Sequence, residues 1–205
     1  MTTLDIGAVR RELLHLDLAV YVPIRGAMAE FVRHYGIDME SQVTGVRHYV
    51  GRFESPGYHI AAHVFMPLQP RGTVFILHGY LDHAGLYRHV IRDCLQRGFA
   101  VFLPDLPGHG LSSGERIDIP DFDDYQMMLE AAFSQYGEDL PGPWFGIGQS
   151  TGGAILMDHV LSACAQERKP AFRSVLLLAP LLRPAQWQQI RFGFWLMRHF
   201  RAAVP

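Results

Sequence analysis

A chain of 205 residues, 49% hydrophobic and 19% charged, is long enough for one sizeable core and fits a single globular domain. Its formal charge of −2 excludes the basic footprint of a nucleic-acid binder, so no nucleic acid is expected as a partner. No run reaches 18 uncharged apolar residues, which argues against a transmembrane helix.

Residues 4–35 read as helical, broken near Pro23. Leu13, Leu14, Leu16, Leu18 and Val20 have mixed apolar spacing, which suits packing on a core or, in a minority reading, contact with a membrane surface. Arg10 and Arg11 precede this run, but Glu12, His15 and Asp17 interrupt it and no small-residue cleavage site follows, so no secretory leader is expected. Next, VRHYVGRF (46–53) and YHIAAHVFMP (58–67) flank Ser55-Pro56-Gly57, a turn sequence, and predict an antiparallel hairpin.

The texture then changes. TVFILHG (73–79), FAVFLPD (99–105), WFGIGQS (144–150) and SVLLLAP (174–180) are short, nearly continuous apolar runs, the pattern of strands buried on both faces of a parallel sheet. Helical segments over 84–97, 121–136 and 151–166 separate them, so the fold class is α/β: a mostly parallel sheet flanked by helices, with the hairpin at its N-terminal side. Ligands in such sheets bind at the carboxyl ends of the strands, where His78-Gly79, Asp105 and Gly148-Gln149-Ser150 collect. Both cysteines, Cys94 and Cys164, fall in helical stretches without metal or redox spacing and are expected as buried free thiols in a reducing, cytoplasmic setting. The stretch 181–205 is aromatic and basic, with no acidic residue, and reads as one or two helices.

Gly148-Gln149-Ser150-Thr151-Gly152 matches G-x-S-x-G, and its position between a buried strand and a helix gives it meaning. Such a tight turn strains the serine backbone and brings its flanks too close for side chains. The helix N-terminus adds free N–H groups beside the hydroxyl. Ser150 is therefore the candidate nucleophile. An acyl-transfer oxyanion needs two N–H donors, and the candidates are the backbone N–H groups of Thr151 and Tyr80, the latter in LHGYLDHAGLY (77–87). His78, Gly79, His83 and Gln149 are expected to line the site, with His78 a buried structural histidine rather than a base. DLPGHGLSSG (105–114) lacks the spacing of a dinucleotide loop and reads as a turn leading away from the site rim.

Strand-HG-x-x-x-H, D-x-P-G-H-G-x-S and G-x-S-x-G-G, in this order, resemble the α/β-hydrolase superfamily, and more narrowly its monoacylglycerol lipase and lysophospholipase-like branch of serine aminopeptidase S33 type. His83 and Tyr87 also fit that branch's pattern. The resemblance spans roughly residues 45–180. It implies an α/β-hydrolase fold and a serine esterase acting on lipid monoesters, without metal or organic cofactor, through an acyl-enzyme on Ser150. It also divides the chain into an N-terminal helical extension (1–40), a core (41–180) and the start of a cap over an acyl pocket (181–205). The aromatic and basic residues of that last stretch suit an acyl pocket or peripheral membrane contact.

In the family the acid and then the histidine follow the serine. Here the acids after Ser150 are Asp158 and Glu167, and the histidines are His159 and His199. His159 lies nine residues along the helix, about 13 Å of rise, whereas a base must come within about 3 Å of the hydroxyl. The sequence therefore leads to two expectations. One is an enzyme whose triad acid and histidine lie beyond residue 205, with the last core strands missing; the other is a truncated, catalytically crippled or non-catalytic protein of the same fold.

Overall fold

In the computed structural model of the chain, residues 4–182 are described. Their six-stranded sheet runs in the order β1-β2-β4-β3-β5-β6. Strands β1 (Val46–Ser55) and β2 (Tyr58–Pro67) form the hairpin through Pro56-Gly57, and β2 also pairs antiparallel with β4 (Ala100–Pro104). From β4 onward the sheet is parallel, through β3 (Thr73–Leu77), β5 (Trp144–Gln149) and β6 (Ser174–Leu178). Chain order runs from β3 out to β4 on one side and then to β5 on the other. The direction thus reverses at β3, the place in such sheets where a crevice opens at the strands' carboxyl ends.

Side-chain alternation along the strands builds a core on each face. Val74, Ile76, Val101 and Leu103 join one cluster, and Phe75, Leu77 and Phe102 join the other. Helix α4 (Arg88–Gln96) covers the first face, contributing Ile91, Cys94 and Leu95. Helices α5 (Asp123–Tyr136) and α6 (Thr151–Ala165) cover the second with residues such as Met128, Leu129 and Ile155. β3 and β4 are buried throughout, as their unbroken apolar runs require.

The N-terminal stretch departs from the helical reading of 4–35. It forms α1 (Ile6–Glu12), an extended passage, α2 (Gly26–Tyr35) and the short α3 (Met39–Gln42). In the passage, the Leu16 N–H donates to the Arg52 carbonyl at 2.9 Å and the Arg52 N–H to the Leu14 carbonyl at 2.8 Å, so residues 14–16 lie along the outer edge of β1. Gly51 makes this approach feasible, since a Cβ there would sit 2.7 Å from the Leu16 backbone. Leu13 and Leu16 turn inward while Leu14 is 74% exposed. The Glu12 carboxylate accepts from the Ala27 and Met28 N–H groups at 3.1 and 3.0 Å, tying the end of α1 to the unsatisfied N-terminus of α2. Val9, Met28, Phe31 and Val32 then pack into the same cluster as α4.

Two further expectations are corrected. Cys94 is buried, but Cys164 is exposed on α6. SVLLLAP is not buried on both faces among the described residues: β6 alternates between exposed and half-buried, with Leu176 at 53% exposure and Leu178 at 41%. The helix expected within 181–205 lies almost wholly outside the described residues.

Candidate active site

Ser150 sits at the junction of β5 and α6 with φ 48° and ψ −109°, a left-handed backbone that a side-chain-bearing residue adopts only under constraint. The constraint is visible on both sides of the turn. The Ser150 N–H donates to the Leu178 carbonyl at 2.9 Å, and the Ser150 carbonyl accepts from Ala154 and Leu181 at 3.0 and 2.9 Å. A side chain at Gly148 would overlap the Gly152 carbonyl, and one at Gly152 would overlap the Leu77 carbonyl. Only glycines let the strand, turn and helix close so tightly.

The loop after β3 abuts this turn. The Gly152 N–H donates to the His78 carbonyl at 3.1 Å, and a methyl group at Gly79 would lie 3.5 Å from Ser150 Cβ. Among the described residues, the N–H groups of Tyr80 and Thr151 meet no hydrogen-bond acceptor. Thr151 is buried at the first turn of α6, and Tyr80 is exposed.

His78 is fully buried with both ring nitrogens engaged. Nδ1–H donates to the Gly79 carbonyl at 2.8 Å, and Nε2 accepts the Leu106 N–H at 2.9 Å. Desolvation lowers its pKa, which favours this neutral tautomer. His83 is half-buried; its Nδ1 accepts the Gly85 N–H at 3.2 Å and its ring packs edge-on to Tyr35 of α2. Burial lowers its pKa as well. His159 lies within α6 against Phe133 and Phe172, its Nδ1 3.9 Å from a Glu130 oxygen. Ser150 Oγ has no hydrogen-bond partner among the described residues, so none of these rings is placed as its base.

Two residues that the sequence reading gave no role hold the loops together. The Tyr87 hydroxyl accepts the Gly79 N–H at 3.1 Å and lies 3.1 Å from Asp82 Oδ2 and 3.0 Å from Gln149 Oε1. Its single proton serves one of these two, and an amide N–H of Gln149, turned over, can satisfy the other. Tyr87 thus links the loop after β3 to the residue preceding Ser150. Asp105, at the end of β4, accepts the Ala84 and Leu111 N–H groups at 2.7 Å each, and its own carbonyl accepts the Ser112 hydroxyl at 2.7 Å. The signals were present: a buried carboxylate must find several donors, and an aspartate ending a buried strand has loop N–H groups as its nearest source.

Among the described residues, no group of His, Cys, Asp or Glu side chains is arranged to hold a metal ion, and no helix is long and apolar enough to cross a membrane.

With this geometry established, comparison with known proteins is informative. The profile of the family described as serine aminopeptidase, S33, matches residues 68–205, well over half of the chain. The chain belongs to the serine aminopeptidase S33 family. Human monoglyceride lipase is 33% identical over 114 residues, covering 55% of this chain and 36% of that protein. Monoacylglycerol lipase of Mycolicibacterium smegmatis is 34% identical over 105 residues, 50% of this chain and 38% of the relative. An α/β hydrolase from Penicillium superposes with a TM-score of 0.61 at 20% identity, over 76% of this chain and 54% of the other. This S33-family chain therefore has the α/β-hydrolase fold, and it spans well under half the length of these two curated relatives. The matched part begins after β2, so α1 to α3 and the β1–β2 hairpin lie ahead of it.

Proposed function

We propose that this protein is a serine hydrolase of carboxylic esters, with lipid monoesters as substrates and Ser150 as nucleophile. The observation that carries the proposal is the strained turn at Ser150, φ 48°, pressed against a loop whose Tyr80 N–H, like that of Thr151, has no acceptor among the described residues. In this reading the Ser150 oxygen attacks the ester carbonyl and the two N–H groups take the charge that develops on its oxygen. The tetrahedral intermediate then expels the alcohol, leaving an acyl-enzyme that water hydrolyses. The general base and the carboxylate that orients it come from outside the described residues. The monoacylglycerol lipases of human and M. smegmatis, and a phospholipase of Bacillus subtilis that is 28% identical over 114 residues, support a lipid ester as substrate.

A fluorophosphonate probe followed by peptide mass analysis tests the nucleophile. Labelling at Ser150 and loss of monoacylglycerol turnover in Ser150→Ala are expected; turnover retained by that variant would overturn the proposal. The alternative, a non-catalytic or crippled protein of the same fold, draws on the Ser150 hydroxyl having no partner among the described residues. It requires that the probe leave Ser150 unmodified in protein of verified mass.

A further inference from the structure

Each proposed oxyanion donor is one end of a planar peptide group, and both of these peptides are trans. In a trans peptide the N–H points opposite to the C=O, so whatever fixes the carbonyl also aims the N–H. The Thr151 N–H shares its plane with the Ser150 carbonyl, which accepts from the Ala154 and Leu181 N–H groups at 3.0 and 2.9 Å. The Tyr80 N–H shares its plane with the Gly79 carbonyl, which accepts from the Asp82 N–H at 3.1 Å and from His78 Nδ1–H at 2.8 Å. Each donor is thus aimed by two hydrogen bonds at the far end of its peptide. Three of these four bonds come from backbone N–H groups, and the fourth comes from the side chain of His78.

The ring of His78 is itself held. It is fully buried, and its Nε2 accepts the Leu106 N–H at 2.9 Å, two residues past the end of β4. A backbone N–H can only donate and a carbonyl can only accept, so these two partners leave the ring one arrangement, with the proton on Nδ1 and the lone pair on Nε2. The Leu106 backbone therefore dictates that a proton is offered to Gly79. Outside anchoring matters at Gly79, because a glycine backbone has the widest conformational freedom of any residue. The His78 carbonyl meanwhile accepts the Gly152 N–H at 3.1 Å, so the ring hangs from a residue already bonded to the first turn of α6. A methyl group at Gly79 would lie 3.5 Å from Ser150 Cβ, which places the peptide that His78 grips directly beside the nucleophile.

We infer that His78 is a positioning residue of the oxyanion site: its Nδ1–H, set by Leu106, holds the Gly79-Tyr80 peptide so that the Tyr80 N–H meets the charge developing on the substrate. The inference rests on the esterase reading and deepens it; His78 neither touches substrate nor moves a proton. The test compares two variants of the complete protein in monoacylglycerol hydrolysis. The side-chain amide of asparagine falls where Nδ1 lies, and that of glutamine where Nε2 lies. His78→Asn therefore keeps a donor for Gly79 and gives up the bond to Leu106, whereas His78→Gln does the reverse. His78→Asn is expected to exceed His78→Gln at least tenfold in kcat, with KM nearly equal in the two. An alkyl trifluoromethyl ketone, which adds to Ser150 as a negatively charged hemiketal, should lose affinity in His78→Gln by the same factor, as a mimic of the tetrahedral intermediate must. A role confined to packing predicts equal losses, since each variant gives up one buried hydrogen bond. Equal kcat in the two variants, or a fall in kcat without the matching fall in ketone affinity, would overturn the inference. Imidazole nitrogen NMR of the unaltered protein, read by difference against His78→Asn, should show the proton on Nδ1; a proton on Nε2 would overturn the inference whatever the variants do. Absence of turnover in the unaltered protein would overturn the esterase reading and this inference with it, whereas an active protein in which glutamine matches asparagine would overturn this inference alone.

Discussion

The two edges of the sheet differ. At β1 the chain's own residues 14–16 run along the outer strand, their backbone groups exchange hydrogen bonds with Arg52, and Leu16 is 1% exposed. At β6, among the described residues, nothing equivalent lies alongside, and Leu176 and Leu178 are 53% and 41% exposed. The nucleophile turn sits beside the second edge, since the Ser150 N–H is bonded to the Leu178 carbonyl. An edge strand with exposed leucines is a template for pairing, so the element that positions Ser150 rests on the less covered side of the sheet, while the loop that meets it rests on the closed side.

The largest contrast should come from the edges themselves. Leu16→Ala is expected to cost about 2–5 kcal/mol in urea unfolding, the range for truncating a buried leucine. A loss below about 1 kcal/mol would mean that the 14–16 segment does not seal the β1 edge.

Acid should also attack the closed side first. His48 and His63 are buried side by side, His48 Nε2 2.9 Å from His63 Nδ1. Burial pushes the His63 imidazole down to about 4 and holds His48 well below its ordinary value. An unfolded histidine takes up its proton near pH 6.5. Between that pH and about 4 the unfolded chain binds more protons than the native one. The contribution is therefore complete above about pH 7 and is lost as pH falls through this window, about 3 kcal/mol for His63 alone. Urea unfolding from pH 7.5 down to 4.5 should show this fall, and His63→Phe, between the stacked rings of Phe31 and Phe65, should flatten it. An unaltered slope in that variant would remove His63 as the cause.

Tyr87 joins the two sides. Tyr87→Phe leaves the buried Gly79 N–H without its acceptor, at a cost of about 1–3 kcal/mol. If the hydroxyl positions the loop beside Ser150, kcat for ester turnover should fall about tenfold with KM nearly unchanged. A change in KM alone would make its role one of binding. Smallest of all, Leu176→Lys should alter stability by no more than about 0.5 kcal/mol, as at an exposed site, and reduce self-association in sedimentation. A cost above about 1 kcal/mol would show that this edge is covered in the folded protein.

These contrasts also mark what could be read from residues alone. The hairpin, the buried strands β3 and β4 and the turn at Ser150 are local patterns, and each is where its pattern places it. Burial of β6 is not local. SVLLLAP states that the strand can be buried, but only a neighbour decides whether it is. Leu13, Leu14 and Leu16 were ambiguous for the opposite reason, because an extended segment laid on an edge borrows its order from the strand beneath. Gly51, a glycine inside a strand, was the available sign of that close approach. His48 shares its strand face with Val46 and Val50, and His63 with Ala61 and Phe65, so alternation turns both inward; what the residues alone do not show is that the two satisfy each other through a hydrogen bond across the hairpin.

The carboxylate of Asp105 has a dynamic consequence. By accepting from Ala84 and Leu111 it rivets the loop after β3 to the loop after β4. Neither can swing out alone without exposing a buried charge stripped of one of its donors. The two loops should therefore breathe as one cooperative unit, their amides exchanging with solvent at a common rate, so that loosening anywhere in 105–114 is felt at the backbone beside Ser150.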